Sequence, residues 1–220
     1  MGPSEALIAF VPAAGLLAIT PGLDTALVLR IAASENGWRA LCAGAGICLG
    51  CLLWGIVAAF GLGALLDASR TAYTALRWAG AAYLIYLGGR MALNARSRMD
   101  EAAGESAAPG ASTAVPAGGW PSIWLSRGLL TNILNPKVGV FYVTFLPQFV
   151  PAGVDVRSFT LLLASIHVLE SFLWFVLLIA MTRPLAAALC RPGVVRTLDR
   201  ITGGILIAFG LKLFFSARHA

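Results

Sequence analysis

Residues 123–150 read IWLSRGLLTNILNPKVGVFYVTFLPQFV. The run exceeds the roughly 20 apolar residues needed to cross about 30 Å of hydrocarbon. It is interrupted near its centre by Asn135-Pro136, with Lys137 directly after. Proline removes a backbone donor and frees a carbonyl one turn back. A lysine at bilayer depth costs at least about 2.5–3.5 kcal/mol, so such residues face a cavity or a partner. An apolar span broken at its middle and charged at the break predicts a membrane protein with a polar site inside it.

Working outward, a second interrupted run covers Ala6–Leu29, with Thr20-Pro21-Gly22 and then Asp24. Four more runs follow the same length rule: Leu41–Leu66, Ala72–Leu93, Phe159–Met181 and Ile201–Phe215, the last extendable from Val194. The fold class this predicts is an all-α membrane protein with six transmembrane helices. Composition agrees: hydrophobic residues are 59% and charged residues 12% of the 220, against about 25% charged in soluble domains, and mean hydropathy is +0.83. That excludes an ordinary soluble globule, a disordered chain and a nucleic-acid binder, despite a net charge of +6 and a pI near 9.6.

The stretch Asn94–Pro121 reads as a linker. It holds Arg96, Arg98, Asp100, Glu101 and Glu105, then an Ala/Gly/Ser/Pro tract, a solvated tether by composition. The expected units are therefore 1–95, a linker 96–121, and 122–220. The halves look related: Leu84-Ile85-Tyr86-Leu87-Gly88-Gly89-Arg90 matches Leu206-Ile207-Ala208-Phe209-Gly210-Leu211-Lys212 at a fixed offset, with Leu76 on Leu198. Each half also carries its break in its first span. Three spans per half is odd, so the second copy lies inverted, the layout of secondary transporters.

Cations set an expected orientation. Arg30, Arg39, Arg90, Arg96, Arg98, Arg127, Arg183, Arg191, Arg196 and Arg200 fall on one side, and Arg70, Arg77, Arg157, Lys212 and Arg218 on the other. The richer side is cytoplasmic by the positive-inside rule, which places the linker inside and both termini outside. No cleavable signal peptide is read at the N-terminus, where no cation precedes the apolar run.

Polar residues at depth are the candidate site: Asp24, Lys137, Glu170 and His167. A half-helix that starts after a break presents free N–H groups and a partial positive charge, which suits a carboxylate. Lys137, Phe141, Thr144 and Gln148 follow i, i+4, i+7, i+11 and are expected to form one path-lining face. His167, Glu170, Ser171 and Trp174 form another at i, i+3, i+4, i+7. Glu170 either carries protons or binds an ammonium, or it pairs with Lys137 to neutralise both. His167 is either a relay or a satisfied packing residue.

Other motifs are mostly negative. No P-loop is present, and two histidines do not build a common zinc site. Cys48-Leu-Gly-Cys51 has CxxC spacing but sits within an apolar run, where two small residues on one helix face are the plainer reading. Gly46-Ile-Cys-Leu-Gly50 is a GxxxG step that serves close packing within a subunit or in a homodimer.

Three motifs give the chain a likeness to a known family. They are Thr20-Pro21-Gly22-Leu23-Asp24, Trp78-Ala79-Gly80-Ala81-Ala82-Tyr83-Leu84, and Asn135-Pro136-Lys137 followed by Phe145-Leu146-Pro147-Gln148-Phe149. With these the chain resembles the LysE/RhtB family of amino-acid exporters over nearly its whole length, and the ending Ser216-Ala217-Arg218-His219-Ala220 is similar to that of homoserine-type members. Leu23 stands where a second proline is common, and Glu170 where many relatives carry Asp. The resemblance implies efflux of amino acids or close derivatives, driven by proton antiport across a bacterial inner membrane, without a cofactor.

On this reading the chain is not an enzyme. A small zwitterion would meet Thr20, Pro21, Gly22, Asp24, Asn135, Pro136, Lys137, Phe141 and Gln148. Its carboxylate would sit near Gly22 and Lys137, while Asp24 and Glu170 would receive the ammonium or the exchanging proton, with His167 as a possible relay. The rival class is a membrane thiol–disulfide electron conductor with the same three-plus-three plan. It would need paired reactive cysteines, yet Cys48 and Cys51 share one span. A passive channel, a third option, lacks the charge rings of selectivity filters.

Overall fold

In the computed structural model, residues 2–68, 70–93, 120–181 and 192–216 are described, and among them every regular element is helical. Pro3 at the first-turn position opens α1 (Pro3–Ile19), where its missing N–H is no loss. Glu5 accepts from the Gly2 amide at 2.9 Å, serving one of the orphan donors of that helix end. After a break, α2 (Leu23–Ser34) leaves at 51° to α1. A short turn follows, in which Arg39 pairs with Glu35 and the Asn36 side chain accepts from the Arg39 amide at 2.9 Å. The chain then enters α3 (Gly37–Ala68) and α4 (Arg70–Leu93).

Beyond the linker, Pro121 opens α5 (Pro121–Ile133), and α6 (Pro136–Val140) resumes after the second break. The chain continues as a π turn over Phe141–Phe145 and a 3₁₀ turn over Leu146–Phe149. Then come α7 (Val156–Ala180) and α8 (Pro192–Ser216). Asp155 caps α7 by accepting from the Ser158 amide at 2.8 Å. Side-chain and backbone bonds from Ser158 hold its carboxyl below the usual carboxylate range.

Up to four of the six expected spans are met by length and composition among the described residues. Among the described residues, α3 over Gly37–Gly61 and α7 are each long and apolar enough to cross a membrane. The pairs α1–α2 and α5 to Phe149 qualify only as bent units, at 51° and 57°, giving up to four spans. Helices α4 and α8 have 24 and 25 residues, about 36 Å at 1.5 Å per residue, long enough to span, and side chains in parts of both lie outside the described residues. Most of the expected linker, with Arg96 and Arg98, lies outside the described residues, as do Arg183, Cys190 and Arg191.

Helix α3 packs mainly on α5 and α7, while α4 packs mainly on α8. Both approaches rest on glycine. A Cβ at Gly128 would strike the Ala43 carbonyl, and one at Gly46 the Leu125 carbonyl, so α3 and α5 touch backbone to backbone. An aromatic cluster joins the two groups of helices. Phe10 of α1 meets Phe149 at 5.2 Å, and Phe209 of α8 meets Phe145 at 4.8 Å and Phe149 at 5.1 Å. Phe145 and Phe149 are buried, so the Phe-Leu-Pro-Gln-Phe stretch is a packing element.

Candidate functional site

The two breaks face each other across the interior, and their backbone accounting explains how. Pro21 has no N–H, so the carbonyl four residues earlier, Leu17 O, loses its helical donor. Thr20 N–H and Oγ1 both go to Leu16 O, at 3.0 and 2.7 Å, which leaves Leu17 unserved. Thr20 and Gly22 then run extended before α2 begins. The missing donor arrives from the other half of the chain: Lys137 Nζ donates to Leu17 O at 3.2 Å and to Thr20 O at 3.0 Å. The ammonium therefore sits at the negative end of α1, where a cation is favoured.

The second break is closed locally. Pro136 orphans Asn132 O, and the Asn135 amide takes it at 3.0 Å. The Asn135 side chain caps α6 by accepting from the Lys137 amide at 3.1 Å. Asn132, fully buried, reaches back to the first half: its Nδ2 donates to Asp24 Oδ2 at 2.9 Å and lies 3.4 Å from Cys51 Sγ. Asp24 stands in the first turn of α2, near enough to the Asn135 amide and the Lys137 ammonium to interact electrostatically. Each half thus sends one polar side chain to the break of the other.

Between the breaks lies a cavity of about 40 Å³ lined by Thr20, Gly22, Asp24, Asn135, Lys137 and His167, with Cys51 and Ser171. That is room for a few waters. The expected residues divide around it. Phe141 and Gln148 do not line it, and neither does Thr144. The predicted face through Lys137, Phe141, Thr144 and Gln148 fails because residues 136–149 change from α to π to 3₁₀ winding, so no constant angle per residue applies. Thr144 lies against Gly80 of α4, and Phe141 packs on Phe10 and, at 4.6 Å, on the His167 ring. Gln148 Nε2 donates to Thr144 O at 2.7 Å, the carbonyl Pro147 leaves without a donor in a 3₁₀ turn.

On α7, His167 and Ser171 line the cavity, but Glu170 and Trp174 do not. His167 is buried and shares a hydrogen bond with Tyr142 through Nδ1 at 2.9 Å, so it is a satisfied histidine at the wall. Glu170 points its carboxylate at Gly15 of α1, and its enclosed Oε2 has no hydrogen-bond partner. The pairing of Glu170 with Lys137 is not formed, since Lys137 turns to the α1 carbonyls instead.

Three participants were not expected from sequence: Asn132, Tyr142 and Thr202. Thr202 of α8 meets Thr20 Oγ1 at 2.6 Å, tying α8 to the first break. An asparagine three residues before Asn135 in an apolar run was the available signal for Asn132. Nothing local marks Tyr142 or Thr202. Among the described residues, Cys42, Cys48 and Cys51 are free thiols, and no group of His, Cys, Asp and Glu could hold a metal.

Comparison with known proteins adds an independent finding. The family described as LysE type translocator matches residues 16–217. The "Uncharacterized membrane protein YrhP" of Bacillus subtilis (strain 168) is 32% identical over 212 residues, 94% of this chain and 98% of that protein. The "Leucine efflux protein" of Enterobacter sp. (strain 638) is 28% identical, covering 77% of this chain and 76% of its own. The "Threonine efflux protein" of Salmonella typhi is 27% identical, covering 90% and 92%. No solved structure matches.

Proposed function

Because the chain belongs to the LysE type translocator family, we propose that it exports small neutral amino acids or close derivatives across a bacterial inner membrane in exchange for protons. The observation that carries this reading is the polar cavity between two proline breaks, walled by Asp24, Asn135, Lys137 and His167. Irregular backbone at membrane depth persists where it lines such a cavity, and transporters place substrates at broken helices. The names of the relatives point to leucine- and threonine-like substrates. At about 40 Å³ the cavity corresponds to a closed stage, and access to either side comes from rocking one half against the other.

The proposed halves are residues 1–95 and 122–220, inverted repeats joined by a cytoplasmic linker at 96–121, with both termini periplasmic. Reciprocal contacts support the repeat. Gly88 of α4 lies against the Gly203 carbonyl and Ile207 of α8, while Gly210 of α8 lies against the Ala81 carbonyl and Ile85 of α4. Gly88 and Gly210, like Ile85 and Ile207, are the residues that match between the halves in sequence. The breaks are also cross-tied: Lys137 of the second half serves the carbonyl four residues before Pro21, and Asp24 of the first half binds the side chain four residues before Pro136.

In this mechanism Asp24, Lys137 and Asn135 hold the zwitterion, and Glu170, unpaired beside α1, carries the exchanging proton. Phe141 supports the wall from behind, against the His167 ring. The thiol–disulfide alternative finds no support in the relatives or in the lone-helix position of Cys48 and Cys51.

A growth-rescue screen tests the reading. Cells expressing the chain and challenged with toxic amino acids or analogues are expected to resist leucine- or threonine-like compounds, and collapse of the proton gradient is expected to abolish uphill efflux. Full uphill efflux without the gradient would remove proton coupling, and no resistance to any amino acid would remove the export reading.

A further inference from the structure

The Lys137 ammonium is held as a ligand would be. It donates to Leu17 O and Thr20 O, two carbonyls exposed by the break at Pro21, and it lies within electrostatic reach of Asp24. Asp24 Oδ2 is taken by Asn132, but Asp24 Oδ1 is enclosed and has no hydrogen-bond partner. Two backbone carbonyls and a carboxylate are the acceptor set that a primary ammonium, with three donors and no acceptor, requires. Lys137 is thus both the tethered occupant of that set and a wall of the adjoining cavity.

We propose that this acceptor set is the subsite for the substrate's α-ammonium, and that Lys137 occupies it as a built-in mimic until substrate displaces it. The inference rests on the reading of the cavity as an amino-acid site and names how that site selects its ligand. An incoming zwitterion places its ammonium on Leu17 O, Thr20 O and Asp24. Lys137 withdraws and meets the carboxylate, which is two bonds from that ammonium. Every buried charge then keeps an opposite partner: Asp24 faces the ammonium, and Lys137 faces the carboxylate. A simple amine leaves the displaced lysine unpaired, and a simple carboxylate cannot replace Lys137 on the carbonyls. An unpaired charge in a low-dielectric site is costly, so the exchange selects molecules bearing both groups on one carbon. It also couples binding to motion, because releasing Lys137 removes the tie that holds α1 to α6.

Two measurements on the full chain test this. In Lys137→Ala the subsite stands open, and methylammonium or ethylammonium are expected to raise the thermal unfolding midpoint saturably, by about 3 °C or more as a bound ligand does. Tetramethylammonium, which has no N–H, and the wild-type chain are expected to show no such rise. Equal responses to all three ions, or none in the variant, would overturn the proposal. The second measurement does not depend on folding of that variant. With the other lysine replaced (Lys212→Arg) and lysine labelled with nitrogen-15, leucine or threonine is expected to shift the Lys137 ammonium NMR resonance saturably as its acceptors change from carbonyls to a carboxylate, while methylammonium alone leaves it in place. No shift with an exported amino acid, or the same shift with methylammonium, would overturn it. Failed ammonium rescue with leucine or threonine efflux intact removes the subsite alone, whereas rescue without efflux of any amino acid removes the export reading alone.

Discussion

The two breaks use the same proline chemistry and solve it differently. At the second, Asn135 supplies both the donor that Pro136 lacks and the cap for α6, all within a few residues. At the first, α2 begins at Gly22 without a side-chain cap, and the orphan Leu17 carbonyl depends on Lys137, 120 residues away. The second break is a fixed post, further clamped where Asn132 presses against Gly50 of α3, in space a Cβ there would take. On the proposed mechanism the first is a joint, loosened when Lys137 leaves Leu17 and Thr20. A moving part therefore need not be a flexible loop; it can be a regular helix end whose satisfaction comes from across the site.

That contrast can be broken by mutation. Lys137→Met is expected to have the larger effect, because it strands two carbonyls and Asp24, each worth about 1–3 kcal/mol when left unsatisfied. Efflux of preloaded amino acid from cells should fall by about 100-fold, equivalent to nearly 3 kcal/mol of barrier. Asn135→Ala removes a cap and should lower stability by about 1 kcal/mol, read as a small drop in unfolding midpoint, with efflux reduced less than about tenfold. Comparable losses from the two changes would erase the distinction between joint and post.

Much of this was legible from residues because proline acts locally. Pro21 and Pro136 each predicted a bend, and each bend is present at its place. The apolar runs predicted the helices, since length and hydropathy are local quantities too. What escaped was the partner of each group. A lysine in an apolar run announces that it needs a partner, but only packing decides that Leu17 O and Thr20 O, not Glu170, provide it. The winding change after Val140 escaped for a related reason: Pro147 and the packing of Phe145 and Phe149 set it, not a period in the sequence.

The central claim is that transported amino acid enters the space between the breaks. Cys51 lines that space, while Cys42 lies apart from it on the same helix. Alkylation of each thiol in the wild-type chain, followed by mass spectrometry in membranes with and without leucine or threonine, tests the claim most directly. The account predicts that an exported amino acid slows modification of Cys51 by about five-fold or more, as occupancy shields a lining residue, and leaves Cys42 unchanged. Equal modification of Cys51 with and without a saturating exported amino acid would place the substrate elsewhere and contradict the account.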